Sequence, residues 1–575
     1  MKHTMRGNLS ARIAVLAIAG LAVGSTASRA DNAEQLKDTC PKLAGQTVPA
    51  ASIGLPSGNA AVVSAAFTAA APPNPDFCKV TGSIAPVDPA AQAINFQINL
   101  PIAWNGKALQ YGGGGYNGSL TTGLAPLRDA APGDPTPLAR GYVTFGTDAG
   151  HQAASFAPNA IGQFGLNDEM LVNYAYASYK KVRDVASSIT RSFYGRPPSK
   201  LYYFGGSEGG REGLTMAQRF PADYDGVVSI VPVVQLSMLF QSYIHHQQPQ
   251  LRGGWLSAAK TRTLAKYVVD RCDTLDGVAD GVISNYLACG AHIRLKELRC
   301  PGGAEGGDGC LSDLQIAAVA AVHAPYDMPF AGANGISSYP QWLYGNETNP
   351  DPRIFGANTR PDPDATTMQR WVVGTAAPTA AVDVNTASQH WLYGANFVRF
   401  FVTKDASYDA AKYDPAKFRA RVLEMSALID STNPDLSAFF GHGGKLIMRE
   451  NMGDLAQSPL AGINYFNSVI AKLGRDKVDQ SARLYVSPAS THTGTAASVL
   501  DGSPVPTMVD LLDPLDQWVS EGKAPPDSLI QTVKTTTPPY NVLATRPMCR
   551  YPNYPHYQGG DRLQADSYRC MPSKP

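Results

Sequence analysis

The sequence predicts an α/β sandwich with a largely parallel sheet, interrupted by one long insertion. Three observations predict it. Short apolar runs alternate with helix-patterned stretches in the first part of the chain. That alternation stops across residues 236–437, where cysteines, Asp-Gly turns and Pro-rich loops such as Arg360-Pro-Asp-Pro take over. It then resumes at residues 444–448 and 483–486.

Taken in order, residues 1–30 read as an export signal. Lys2, Arg6 and Arg12 precede an apolar run over 13–24, and Ser28-Arg29-Ala30 offers small residues for cleavage before Asp31. That run is too short to cross a bilayer core of roughly 30 Å. No later stretch reaches transmembrane length, so a soluble protein in the periplasm or outside the cell is expected. Residues 91–100 alternate apolar and polar, as a half-covered strand does. Strands are expected at 107–111, 142–146, 201–204 and 226–234, and helices at 171–187 and 211–220. A late helix is expected at 511–522. The predicted organisation is a catalytic domain over 31–235 and 438–575, with an inserted lid over 236–437.

Composition excludes some functions. Of 575 residues, 44% are hydrophobic and 17% charged, so a packed core is well supported. A net charge of +1 gives no bulk attraction to nucleic acid or anionic lipid, which leaves small molecules as the expected partners. Oligomeric state is not readable. The eight cysteines are Cys40, Cys78, Cys272, Cys289, Cys300, Cys310, Cys549 and Cys570. An even count in an exported chain suggests disulfides. Sequence leaves their pairing open, and neighbours in order is the simplest choice. No C-x-x-C occurs to favour a metal instead.

The strongest chemical signal is Gly205-Gly206-Ser207-Glu208-Gly209, between a predicted strand and a predicted helix. A nucleophile on such a turn needs small residues on both sides, and the helix behind it aims its positive end at a developing oxyanion. This context predicts the α/β-hydrolase fold, whose triad runs Ser, acid, His along the chain. His492 follows the strand at 483–486, whereas His442 and His556 lack such a position. Asp454 follows the strand at 444–448; Asp476 and Asp479 precede a strand instead. The second oxyanion donor, beside the N–H of Glu208, is expected in the glycine run around Gly114 and Gly115. That run also matches G-x-G-x-x-G through Gly113, Gly115 and Gly118, but the residues after it start a helix poorly. In the insertion, Trp371, Trp391, Phe397, Arg399 and Phe400 suit an aromatic acyl group, with Arg399 facing a carboxylate or phenolic oxygen; the alternative is that they form the insertion's own core. Asp273, Asp276 and Asp280 alternate with glycines, which suits either a hard cation or a solvated turn.

These motifs together resemble the tannase/feruloyl esterase family, which also contains the hydrolase of mono(2-hydroxyethyl) terephthalate. The resemblance rests on WNGKALQYGGGGYNG, FGGSEGGREG, CDTLDGVADGVI, PDLSAFFGHGGKLIM and DQWVSEGKAPP. It implies a secreted serine esterase for phenolic esters such as gallates or hydroxycinnamates, with terephthalate monoesters or a non-catalytic binding role as alternatives. It implies Ser207, Asp454 and His492 as the triad, with Glu208 and the glycine run as the oxyanion hole. It further implies a structural Ca2+ on Asp273, Asp276, Asp280 and the carbonyls of Val278 and Val282. The neighbour pairing of the cysteines also fits the family. Two departures stand out. Gly206 and Thr493 occupy positions where typical members carry a bridging cysteine pair, and Asp454 lies in Met-Gly-Asp-Leu instead of Trp-Ala-Asp-Pro.

Overall fold

A computed structural model describes residues 33–350 and 366–573. The expected signal at 1–30 and the Arg360-Pro-Asp-Pro loop lie outside those residues. The frame is a 12-stranded sheet. Its strands are β1 (Thr47–Val48), β2 (Ala60–Thr68), β3 (Phe77–Ile84), β4 (Ile94–Pro101), β5 (Lys107–Tyr111) and β6 (Val143–Thr147). They continue with β7 (Lys200–Gly206), β8 (Gly226–Ile230), β11 (Lys445–Asn451), β12 (Ala482–Ser487), β13 (Ser528–Lys534) and β14 (Val542–Arg550). Across the sheet they stand in the order β1-β2-β3-β4-β6-β5-β7-β8-β11-β12-β14-β13. Small sheets pair β9 (Tyr326–Asp327) with β10 (Ser338–Tyr339), and β15 (Asn553–Tyr557) with β16 (Tyr568–Pro572).

The expected parallel sheet is confined to the centre. Strands β6, β5, β7, β8, β11 and β12 pair parallel, whereas both flanks run antiparallel. The central strands are buried nearly throughout and largely apolar, as strands covered on both faces are, with polar exceptions that include Arg449, Glu450 and Asn451 at the site end of β11. Parallel pairing puts the loops after β5, β7, β11 and β12 at one edge, outside the carboxyl ends of the strands, where such sheets carry their sites.

Local sequence explains the element ends. The strand expected over 226–234 stops at Ile230, because Val231 takes φ 41° and Pro232 has no N–H for a ladder. The helix expected over 171–187 is instead three pieces: Asp168–Val172, a wide π turn over Asn173–Ala177, and Ser178–Tyr194.

Between Ile230 and Lys445 the described residues add no strand to the large sheet. They form helices, among them Leu236–Pro249, Ala258–Cys272, Asp313–Val322, Gln389–Asn396 and Arg419–Ile429. Their buried side chains join the same apolar cluster as the sheet, so this segment shares the core of the sandwich. Disulfides join Cys40 to Cys78, Cys272 to Cys289, Cys300 to Cys310 and Cys549 to Cys570, the neighbour-in-order pairing. Among the described residues no helix is long and apolar enough to cross a membrane.

Candidate active site

Ser207 sits on the turn from β7 into the helix Glu208–Arg219. Its backbone takes φ 61° and ψ −122°, a conformation that a non-glycine residue adopts only under constraint. The constraint is visible. The Ser207 N–H donates to Ile230 O at 2.8 Å, tying the turn to β8. A Cβ on Gly205 would lie 2.3 Å from Gly209 O, and one on Gly209 would lie 2.7 Å from Gly113 O. The turn therefore closes only with glycine at both places.

Two further loops reach the serine from across the sheet. His492 follows β12, and its loop is anchored where Asn451 Nδ2 donates to Thr491 O at 2.8 Å. Asp454 follows β11. Its Oδ1 accepts the N–H groups of Ala456 at 2.7 Å and Gln457 at 3.0 Å. Its Oδ2 lies 2.6 Å from His492 Nδ1, and His492 Nε2 lies 2.8 Å from Ser207 Oγ. A carboxylate only accepts, so Nδ1 carries the imidazole proton and Nε2 is left to accept from the hydroxyl. Asp454 and His492 are both buried. The competitors lie elsewhere: Asp479 is paired with Arg550, and His442 bonds Tyr224 O at 3.2 Å.

The oxyanion donors need one correction. The Gly114 N–H donates to Asn117 Oδ1 at 2.7 Å, so it is already engaged. Among the described residues, the N–H groups of Gly115 and Glu208 donate to no protein acceptor. Both residues line one cleft with Ser207 and His492. The Glu208 carboxyl points away into the core. It pairs with Arg211, and burial pushes its pKa up to about 7.

Comparison with known proteins agrees with this geometry. The sequence profile described as "Tannase and feruloyl esterase" matches residues 78–571. The chain belongs to the tannase and feruloyl esterase family. It is 35% identical to an uncharacterized esterase of Agrobacterium fabrum, over 97% of each chain. It is 30% identical to the mono(2-hydroxyethyl) terephthalate hydrolase of Piscinibacter sakaiensis, over 88% of this chain and 86% of that one. The fold matches that of feruloyl esterase B from Aspergillus oryzae with a TM-score of 0.71 at 21% identity, covering 93% of this chain and 100% of the other. As a member of this family, the protein is a carboxylic ester hydrolase.

The cleft beside Ser207 and His492 is lined by different residues from those the sequence suggested. It is lined by Leu236, Leu239, Phe240 and Tyr243, with Val233, Trp371, Tyr393 and Ala456. Of the expected contacts only Trp371 is there, set edge-on to the His492 ring at a centroid distance of 5.1 Å. Trp391 is fully buried in a separate cluster with Ile244, Val398 and Ala410, its indole N–H bonded to Thr379 O. Arg399 donates from Nε to Tyr408 O at 3.0 Å, and Phe400 is buried in the main core. Phe397 stands behind the wall, against Phe240. These residues thus took the core alternative. The missed residues have a local signal: Leu236, Leu239, Phe240 and Tyr243 recur at helical spacing directly after β8.

The acidic loop is buried. Asp273 Oδ1 accepts the N–H of Gly281 at 2.9 Å, Asp276 Oδ2 accepts that of Ser284 at 3.2 Å, and Asp280 Oδ2 pairs with Arg546 at 2.5 Å. Burial, then the charge of Asp280, pushes Asp276 up to about 7. The three carboxylates offer oxygen donors only, the chemistry that a hard cation takes. Among the described residues no ready-made cage of three acidic, His or Cys side chains is formed.

Proposed function

We propose that the protein is an exported serine esterase for neutral aromatic esters, working through an acyl-enzyme. The observation that carries this reading is the relay from Ser207 Oγ through His492 to Asp454, at 2.8 and 2.6 Å. In it, Ser207 Oγ attacks the ester carbonyl while His492 Nε2 takes its proton. The N–H groups of Glu208 and Gly115 bind the oxyanion. Asp454 holds the ring in the right tautomer and stabilises its cation. His492 then protonates the leaving alcohol, and a water activated by the same Nε2 releases the acid.

The substrate class follows from the cleft. Phe240, Tyr243, Trp371 and Tyr393 offer ring faces and edges to an aryl group. No lysine or arginine lines it among the described residues, so a second carboxylate on the acyl group would be desolvated without a partner. Gallate or hydroxycinnamate esters are therefore favoured over a terephthalate monoester. The described helices of the 236–437 insertion that reach the cleft, Leu236–Pro249 and Gln389–Asn396, serve as the cover that sets this preference. Export accords with four disulfides, which persist in oxidising compartments.

Methyl gallate and methyl ferulate should both be hydrolysed in preference to a terephthalate monoester. Ser207→Ala should leave no turnover on any of them. Wild-type rates in that variant would remove the mechanism, and preference for the monoester would remove the substrate class.

We also propose that Asp273, Asp276, Asp280 and the carbonyls of Val278 and Val282 hold a Ca2+ ion. It would neutralise the buried acids and brace the loop, with no part in the chemistry. Saturating calcium, at about 100 times its Kd, should stabilise the fold by about 2.7 kcal/mol. A melting temperature indifferent to EDTA and to added calcium would contradict this.

A further inference from the structure

The loop between β5 and β6 carries a charged pair, Arg128-Asp129, that reaches both sides of the His492 loop. The Arg128 side chain lies across the backbone of Gly206, the residue just before the nucleophile. A Cβ placed on Gly206 would stand 2.4 Å from Arg128 Nη1 and 2.5 Å from its Cδ. The same guanidinium donates from Nη2 to the carbonyl of His492. One side chain thus touches the turn that presents the hydroxyl and the main chain that presents the imidazole.

Asp129 holds this arginine's backbone in place. It takes φ 63°, and its own carbonyl accepts the N–H of Val509 at 2.8 Å. Its Oδ2 lies 3.2 Å from Arg449 Nη1, with both side chains buried. Arg449 Nε donates to Asn451 Oδ1 at 2.9 Å, and Asn451 carries the Thr491 carbonyl. On the far side of His492, a Cβ on Gly494 would stand 1.9 Å from Asp129 Oδ1. Glycine at 206 and at 494 therefore makes room for the pair.

We infer that Arg128 is a positioning residue for the esterase reaction, holding the His492 main chain against the Ser207 turn from a base formed by Asp129 and Arg449. This rests on the Ser207–His492–Asp454 reading above. Gly206 and Arg128 form a matched pair: any side chain at 206 evicts the guanidinium. Among the described residues no covalent link joins the two catalytic loops, and the arginine supplies the connection by packing and hydrogen bonding.

A double-substitution cycle on methyl ferulate tests this. Arg128→Ala should lower kcat by on the order of tenfold to a hundredfold, the effect of a small misplacement, with KM little changed. Gly206→Ala should lower kcat in the same way, because it displaces the arginine. The double variant should be no slower than Arg128→Ala alone, since the side chain that the added methyl group would displace is already gone. Wild-type kcat in Arg128→Ala, or losses that multiply in the double variant, would overturn the inference. Should Arg128→Ala fail to fold, Arg128→Lys gives the same test. It keeps the charge but not the fork, so its kcat should fall below wild type with KM little changed, and a kcat equal to wild type would count against the inference. A wild-type protein that turns over no ester would instead sink the underlying hydrolytic reading.

Discussion

Asp454 divides its two oxygens between its own loop and the imidazole, and that division fixes a tautomer. Asparagine at this position keeps the shape but presents N–H to Nδ1, which drives the ring proton to Nε2 and leaves nothing to accept from Ser207. Asp454→Asn should therefore lower kcat on the order of ten-thousandfold with little change in KM, read by steady-state kinetics on methyl ferulate. A loss below about tenfold would mean that the carboxylate does not orient His492 during turnover. At this scale the sequence was informative where the chemistry is local. Ser207 announces itself because the glycines that permit its φ of 61° lie two residues either side. Gly114 and Gly115 could not be told apart, because the side chain that engages the Gly114 N–H is Asn117, folded back from beyond the run. Arg128 had no local pattern at all; its partner Gly206 is 78 positions away in sequence (206 minus 128) and is met only through the fold.

The helix Leu236–Pro249 gives the cleft beside Ser207 four side chains, Leu236, Leu239, Phe240 and Tyr243. Phe240 is also packed among Tyr116, Tyr393 and Phe397, so its ring is held in place before any substrate arrives. Phe240→Ala should raise KM for methyl ferulate roughly tenfold, the order of about 1.4 kcal/mol of lost aryl contact, and leave KM for methyl acetate nearly unchanged. Equal changes for both esters would show that the ring shapes the fold and not the acyl site. The central strands could be read from apolar runs, a one-dimensional signal; the disulfide pairing could not, and neighbours in order was only the simplest of the open choices. Nor could it be read which aromatic side chains face the serine. Trp371 and Trp391 look alike in sequence, yet one stands over His492 and the other closes a separate core. Long-range packing makes that choice.

The fold buries titratable groups outside the triad, and these contribute to its response to acid. Burial pulls His323 down to about 4, with its Nδ1 held 2.9 Å from Trp342 O. An unfolded histidine takes a proton below about pH 6.5, whereas folded His323 stays neutral to about 4, so this group costs stability as pH falls through that window. His323→Gln should flatten the acid side of the stability curve by up to about 1.4 kcal/mol per pH unit between those limits. Denaturation profiles of the two proteins that stay parallel from pH 6.5 to 4 would contradict it. The site itself is a property of the whole molecule. Ser207, Asp454 and His492 come from loops after β7, β11 and β12, and only the assembled parallel sheet brings them to one edge. Reaction with a fluorophosphonate probe, read by peptide mass spectrometry, tests this most directly. The folded protein should carry one adduct, on Ser207, and lose it both in His492→Ala and in denaturant. Labelling of other serines instead, or equal labelling of the unfolded chain, would contradict the account.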